Sequence, residues 1–178
     1  MKRIILSTLF LVLITACKKE TKEHTSKKTL TIKKEINSIV NKWHIAASEA
    51  KYENYFNIMD SVSVFIGTDA SENWNKTDFS KFSKPYFDKG KAWSFQPLER
   101  NVYLGKNLDF AWFDELLSTW MGTCRGSGVL ERKENNWVLK HYVLSVTIPN
   151  DNINTVFNIN KVKDSLFLTT KFKDSIKK

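Results

Sequence analysis

A few polar side chains able to do chemistry stand among the apolar runs in the second half of this chain: Asp114 and Glu115 between Phe113 and Leu116, then Arg125, His141 and Ser145. A buried charge without a partner is costly, so each of these must be exposed, paired or lining a wet cavity. Histidine titrates at about 6.5 when unperturbed, and burial or a neighbouring carboxylate tunes it for proton transfer near neutrality. If the chain is a catalyst, His141 is therefore the expected proton-transfer group and Asp114 its partner or a second acid–base. A carboxyl group set among Trp112, Phe113 and Leu116 should be raised in pKa unless a base such as Arg125 answers it. Strand parity leaves open whether Asp114 and His141 share a side. Glu115 is expected to pair with a neighbouring base, and Arg125 and Glu131, which share parity, to take part in ion pairs. The Gly-rich phosphate loop, the serine-nucleophile elbow and the clustered carboxylates of a metal site are not found in the sequence, so no metal and no cofactor are expected.

Cys17 suggests chemistry of a different kind. Lys2 and Arg3 precede an apolar run from Ile4 to Ile14, then Thr15 and Ala16. Crossing a bilayer takes roughly 20 apolar residues, and this run stops short at Lys18 and Lys19. Ile14-Thr15-Ala16-Cys17 is similar to the bacterial lipobox, in which the leader is cut before the cysteine and the cysteine is acylated. Acyl chains contribute about 0.8 kcal/mol per buried methylene, and two or more anchor stably. The expectation is an exported chain held in the cell envelope by lipid on Cys17. The absence of Asp at position 18 leans towards the outer membrane. Cys124 is then the only thiol left, without a disulfide partner, and reads as a small buried hydrophobe.

The net charge of +9 is concentrated at the ends, in the leader, the Lys-rich stretch before residue 35 and the tail after 160. Residues 35–160 carry a small negative charge. A nucleic-acid binder would carry its basic charge on the folded domain, so that partner is excluded, whereas a basic tether suits an anionic lipid surface.

The elements that must position these residues follow from periodicity. Residues 1–16 form the leader, and 17–32 a lipidated, solvated spacer. From about Lys33, Ile36, Ile39, Val40, Trp43, Ala46, Ala47 and Ala50 recur on one helix face. A shorter helical pattern spans Tyr52 to Met59, and Ser61 to Gly67 alternates as a strand. Thr77 or Asp78 is expected to cap a third helix that stops at Gly90. Four long strands follow, from Ala92 to Leu104, where Pro97 suggests an edge or bulge, Leu108 to Trp120, Gly122 to Lys133, and Trp137 to Ile148. Gly126-Ser127-Gly128 reads as a bend or bulge. In the last strand, simple alternation puts Trp137, Leu139, His141, Val143 and Ser145 on one face. Its other face is apolar too, so a second cover is expected, from another subunit or the tail. Residues 151–178 could add a strand or a short helix. Helices first and a meander second predict an α+β domain.

In this order, residues 33–150 resemble the SnoaL-like family, third branch, of the nuclear transport factor 2-like (NTF2-like) superfamily, which is also described as similar to the calcium/calmodulin-dependent kinase association domain. The resemblance is carried by Val64-Phe65-Ile66-Gly67-Thr68-Asp69, Trp74, Phe87-Asp88-Lys89-Gly90-Lys91-Ala92-Trp93, Ala111-Trp112-Phe113-Asp114-Glu115, Arg125-Gly126-Ser127-Gly128-Val129-Leu130-Glu131, Trp137 and His141 to Asn150. It implies a cone: a strongly curved antiparallel sheet with about three N-terminal helices in its concave face, a pocket opening into it, and homodimers through the outer face. It implies no single activity. In such a cone Trp43, Tyr55, Trp112, Arg125, His141 and Ser145 are the expected ligand-binding residues. The first reading is a tethered module binding a small, partly apolar molecule. An acid–base enzyme without metal in the same pocket, or a non-catalytic dimeric interaction module, are the alternatives.

Overall fold

The computed structural model describes residues 26–173; the leader, Cys17 and the first part of the spacer lie outside them. The first helix, α1, covers residues 26–48 and so begins inside the stretch expected to be spacer. Nothing between Ser26 and Ile32 breaks a helix, and Ile32 already sits in the buried stripe with Ile36, Val40, Trp43 and Ala47. Helix α2 (Tyr52–Asn57) leads into strand β1 (Met59–Ile66), the short strand β2 (Asn73–Asn75) and helix α3 (Lys76–Asp88). The cap of α3 is Asn75, whose side-chain oxygen accepts from the Asp78 amide at 2.9 Å, rather than Thr77 or Asp78. Beyond α3, Gly90 takes the left-handed conformation, φ 77°, that ends a helix.

Four long strands follow: β3 (Gln96–Leu104), β4 (Phe110–Thr119), β5 (Gly122–Lys133) and β6 (Asn136–Val146). They join β1 and β2 in one six-stranded, curved, unclosed sheet of order β2-β1-β6-β5-β4-β3. Neighbours run antiparallel except β1 and β6, which are parallel. β3 is an edge strand whose register shifts between Pro97 and Glu99, which suits a residue without an amide hydrogen. The core fills the concave face, where Phe113, Leu117, Leu130, Leu139, Tyr142 and Leu144 pack with residues of α1 to α3.

The faces of the sheet are decided by one irregularity. In β6, Leu139 pairs with Leu130 but His141 pairs with Val129, so Lys140 is an extra residue opposite nothing. Buried residues therefore run Trp137, Leu139 and then Tyr142, Leu144. His141, Val143 and Ser145 fall on the outer face, contrary to simple alternation. β1 is irregular at the same place, between Met59 and Val64. Asp60 closes both irregularities. Its buried carboxylate meets Lys133 and, at 3.6 Å, Lys140, and accepts from the Val62 amide at 3.0 Å. The Lys133 hydrogen bond, ahead of the Val62 amide, holds its pKa far below the usual carboxylate range despite burial.

Residues from Thr147 onward form a separate compact unit. It contains a single 3₁₀ turn (Asn150–Asn152) and helix α4 (Ile153–Lys171), which resolves the choice between strand and short helix in favour of a long helix. No residue of α4 is buried. No helix among the described residues is long and apolar enough to cross a membrane.

Candidate functional site

On the concave face, Glu115 is 1 % exposed and is met by three other side chains. β4 alternation points it inward with Phe113 and Leu117, and pairing across the sheet sets it between Arg100 on β3 and Gly126 on β5. Arg100 donates from Nε and Nη2 to Glu115 Oε2 at 2.8 and 2.6 Å. Glu115 Oε1 is 2.8 Å from His44 Nε2 and accepts from the Tyr142 hydroxyl at 2.8 Å. The remaining Arg100 nitrogen reaches Asn41 Oδ1 at 2.7 Å and the Asn37 carbonyl at 3.3 Å on α1. Phe113 lies beneath the guanidinium, 5.8 Å away.

Burial works to raise the Glu115 carboxyl, but the hydrogen bond from His44, joined by the charge and hydrogen bonds of Arg100, outweighs it and holds the pKa below the ordinary carboxylate value. Burial first, then the Glu115 carboxylate, pushes the Tyr142 phenol well up, so it remains a neutral donor. Because a carboxylate only accepts, His44 Nε2 must carry the hydrogen in this pair. Nδ1 is then the ring nitrogen left to act on something else. His44 also borders a cleft of about 260 Å³ with Asn41, Ser48, Phe95 and Pro97. Phe95 borders a second, apolar pocket of about 140 Å³, against Phe65, Phe79, Trp93, Trp120 and Leu144. Phe95 thus lines both the mixed cleft at His44 and the apolar pocket.

The two glycines expected to bend the sheet do something else. An added Cβ at Gly126 would collide with the Tyr142 hydroxyl and lie 2.9 Å from Glu115 Oε1. At Gly128 it would lie 2.5 Å from Phe113 Cε1. They make room for the rings that floor the site, while the bulge itself sits at Lys140.

Only part of the predicted site is gathered here. Trp43 and Tyr55 are in the concave core, stacked at 4.9 Å, each 2 % exposed or less. Tyr55 is raised well above the usual phenol pKa by burial, with Trp93 offsetting part of it. Trp112, Arg125, His141 and Ser145 are instead on the outer face, Trp112 stacked on Tyr103 at 5.6 Å and Arg125 opposite Ser145. Asp114 and His141 do share a face, but it is the outer one. Asp114 contacts Arg125 at 3.8 Å and accepts from Asn101 at 3.2 Å, and the structure does not bring it to His141. That corrects the expected acid–base pair: β4 parity turns Asp114 out of the cone, the Lys140 bulge turns His141 out as well, and β5 lies between their two strands. Arg125 does answer Asp114, and Glu131 pairs with Lys140 at 3.3 Å. Cys124 is fully buried. Among the described residues no group of three or more His, Cys, Asp or Glu could hold a metal ion.

His44 and Arg100 were missed, although both left signals. His44 is four residues after Val40 and three before Ala47, inside the apolar stripe of α1. Arg100 shares parity with the buried Val102 of its strand.

The SnoaL-like domain family is matched over residues 36–149. A comparison with curated proteins gives no match. Solved structures with the same fold include an NTF2-like protein of unknown function from Pseudomonas putida (12 % identity, TM-score 0.56, covering 67 % of this chain and 89 % of that one). The association domain of Caenorhabditis elegans CaMKII is similar at 22 % identity and TM-score 0.52, over 64 % of this chain and 95 % of that one. A putative dehydratase of the NTF2-like family from Streptomyces avermitilis is similar at 10 % identity and TM-score 0.55, over 64 % and 94 %.

Proposed function

The chain belongs to the SnoaL-like domain family, and from that premise we propose that it is a tethered binding module that takes a small, partly apolar molecule at the mouth of its cone. The observation that carries this reading is Phe95, which lines both the mixed cleft at His44 and the apolar pocket at Trp93 and Trp120. Pockets for drug-sized ligands run from about 300 to 1,000 Å³. Either cavity alone is smaller, and the two joined by a turn of Phe95 reach the lower end of that range. The ligand's apolar body would lie against Trp93 and Phe65, and a hydroxyl or other donor at its end would meet His44 Nδ1. Glu115 is saturated by its own partners, so its part is to hold the His44 ring and its tautomer.

The His44–Glu115 pair favours a second reading, an acid–base enzyme in which His44 Nδ1 takes a proton and the Glu115 carboxylate stabilises the imidazolium. The rest of the proposal is anchoring through acylated Cys17 in the cell envelope and a homodimer through the outer face, where Tyr103, Phe110 and Trp112 are each more than 40 % exposed.

Native mass spectrometry of the full protein extracted from its own membrane reads all of this at once. The expected spectrum shows a dimer, an acyl increment on each chain that Cys17→Ser abolishes, and one small molecule per chain that His44→Ala releases. Return of that molecule in a chemically altered form would favour the enzyme. A pocket empty in both wild type and variant would overturn the binding reading, and an unmodified Cys17 the anchor.

A further inference from the structure

The β4–β5 turn carries Trp120, which stands apart from the other tryptophans of the chain. Trp43, Trp74, Trp93, Trp112 and Trp137 each meet an aromatic ring or a guanidinium. Trp120 meets neither among the described residues and is 82 % exposed. Its backbone is nonetheless held. Thr119 Oγ1 accepts from the Met121 amide at 3.0 Å and donates to the Gly122 carbonyl at 2.9 Å, and Gly122, at φ 92°, closes the turn. A fixed backbone under an unpacked indole leaves rotation of the side chain as the free motion, and exposed side chains change rotamer quickly. An indole left in water gains by covering something apolar.

What it stands beside is the apolar pocket of about 140 Å³, which it lines. Phe65, Phe79 and Leu144, each under a tenth exposed, form the base, and Phe65 is stacked on Phe79 at 4.0 Å. An apolar protein cavity of about 150 Å³ takes up one benzene, so this pocket has room for a single six-membered ring. It is open to solvent, and a ring held in it needs a cover. A flat indole covers a flat ring with more contact than a puckered one, and two π systems add an offset-stacked attraction. The Glu72 carboxylate at the rim, which accepts from the Asp69 amide at 3.2 Å, disfavours an anion. Resting on the reading that this pocket takes the apolar body of the ligand, we propose that this body is a single neutral aromatic ring and that the Trp120 indole folds over the mouth to stack on it.

The test is fluorine NMR of the detergent-solubilised full chain labelled with fluorotryptophan, titrated with phenol and, in the same detergent, with cyclohexanol, which has a similar size and a hydroxyl but a puckered ring. Phenol is expected to shift the Trp93 and Trp120 signals saturably and to leave those of Trp43 and Trp112 in place. Cyclohexanol should bind about tenfold more weakly, and Trp120→Ala should weaken phenol by about the same factor, the worth of one good ring-on-ring contact with the area it covers. Trp120→Phe, which keeps a flat ring, should restore most of the affinity. At so exposed a position neither variant should move the urea midpoint, so lost binding is not lost fold. A saturable Trp93 shift with equal affinity in wild type and Trp120→Ala, or equal affinity for the two alcohols, would overturn the proposal and leave the pocket's occupancy intact. Trp93 and Trp120 signals both unmoved by phenol would overturn it as well, while the tethered binding module would still stand or fall by the molecule that His44→Ala releases.

Discussion

Glu115→Leu is expected to destabilise the domain by about 3–5 kcal/mol, because it removes one partner of a buried ion pair and leaves the other in place. Arg100, with its side chain 5 % exposed, would lose both carboxylate bonds, and the His44 and Tyr142 donors would lose their common acceptor. Glu115→Gln keeps an oxygen for one side of the network and should cost less. Asp114→Asn is the contrast. Its partner Arg125 is half-exposed and 3.8 Å away, and surface pairs of that kind contribute about 0–1 kcal/mol. Urea denaturation at neutral pH orders the three. The pH dependence has a definite sign. The folded Glu115 carboxyl lies below its unfolded value, so its contribution is complete above the ordinary range near 4.5 and is lost as pH falls through the folded pKa. The stability gap between wild type and Glu115→Gln should accordingly close in acid. Equal stabilities at pH 7, or a gap that widens on acidification, would show the carboxylate to be no keystone of the concave face.

Gly126→Ala carries the other large effect, about 1–3 kcal/mol of overpacking. Its new methyl group would drive the Tyr142 hydroxyl off Glu115, so loss of stability should come with a change in the His44 ring signals. Gly128→Ala should cost a similar amount by displacing Phe113, without touching the hydrogen bonds directly. At Gly105 the nearest atoms to an added Cβ are 3.4 Å away, and Gly105→Ala should change little. Should the three alanine variants melt together, the close approach of rings to the β5 backbone would not be what those glycines serve.

Much of the architecture was legible because it rests on local periodicity. The α1 stripe, Pro97 on an edge strand and the succession of strands in the meander all follow from side chains that must find apolar or aqueous surroundings within their own segment, and β4 parity separated Glu115 from Asp114 without telling which of the two faces the core. The site was less legible, since its members come from four elements. Glu115 was expected to pair with some base, but nothing in the sequence joins it to His44, 71 residues away. Only the curvature of the sheet over α1 makes that contact.

The ordered series of motifs by itself determined the family and the α+β fold, because each motif reports a local pattern of burial. What only the tertiary structure decided was the direction of β6 after Lys140. One extra residue, held by the Asp60 cluster between neighbouring strands, reverses the alternation. It turns His141 and Ser145 outward and Tyr142 inward to Glu115. A bulge depends on what its neighbours can bond across the sheet, and that information is not carried by the strand that bears it.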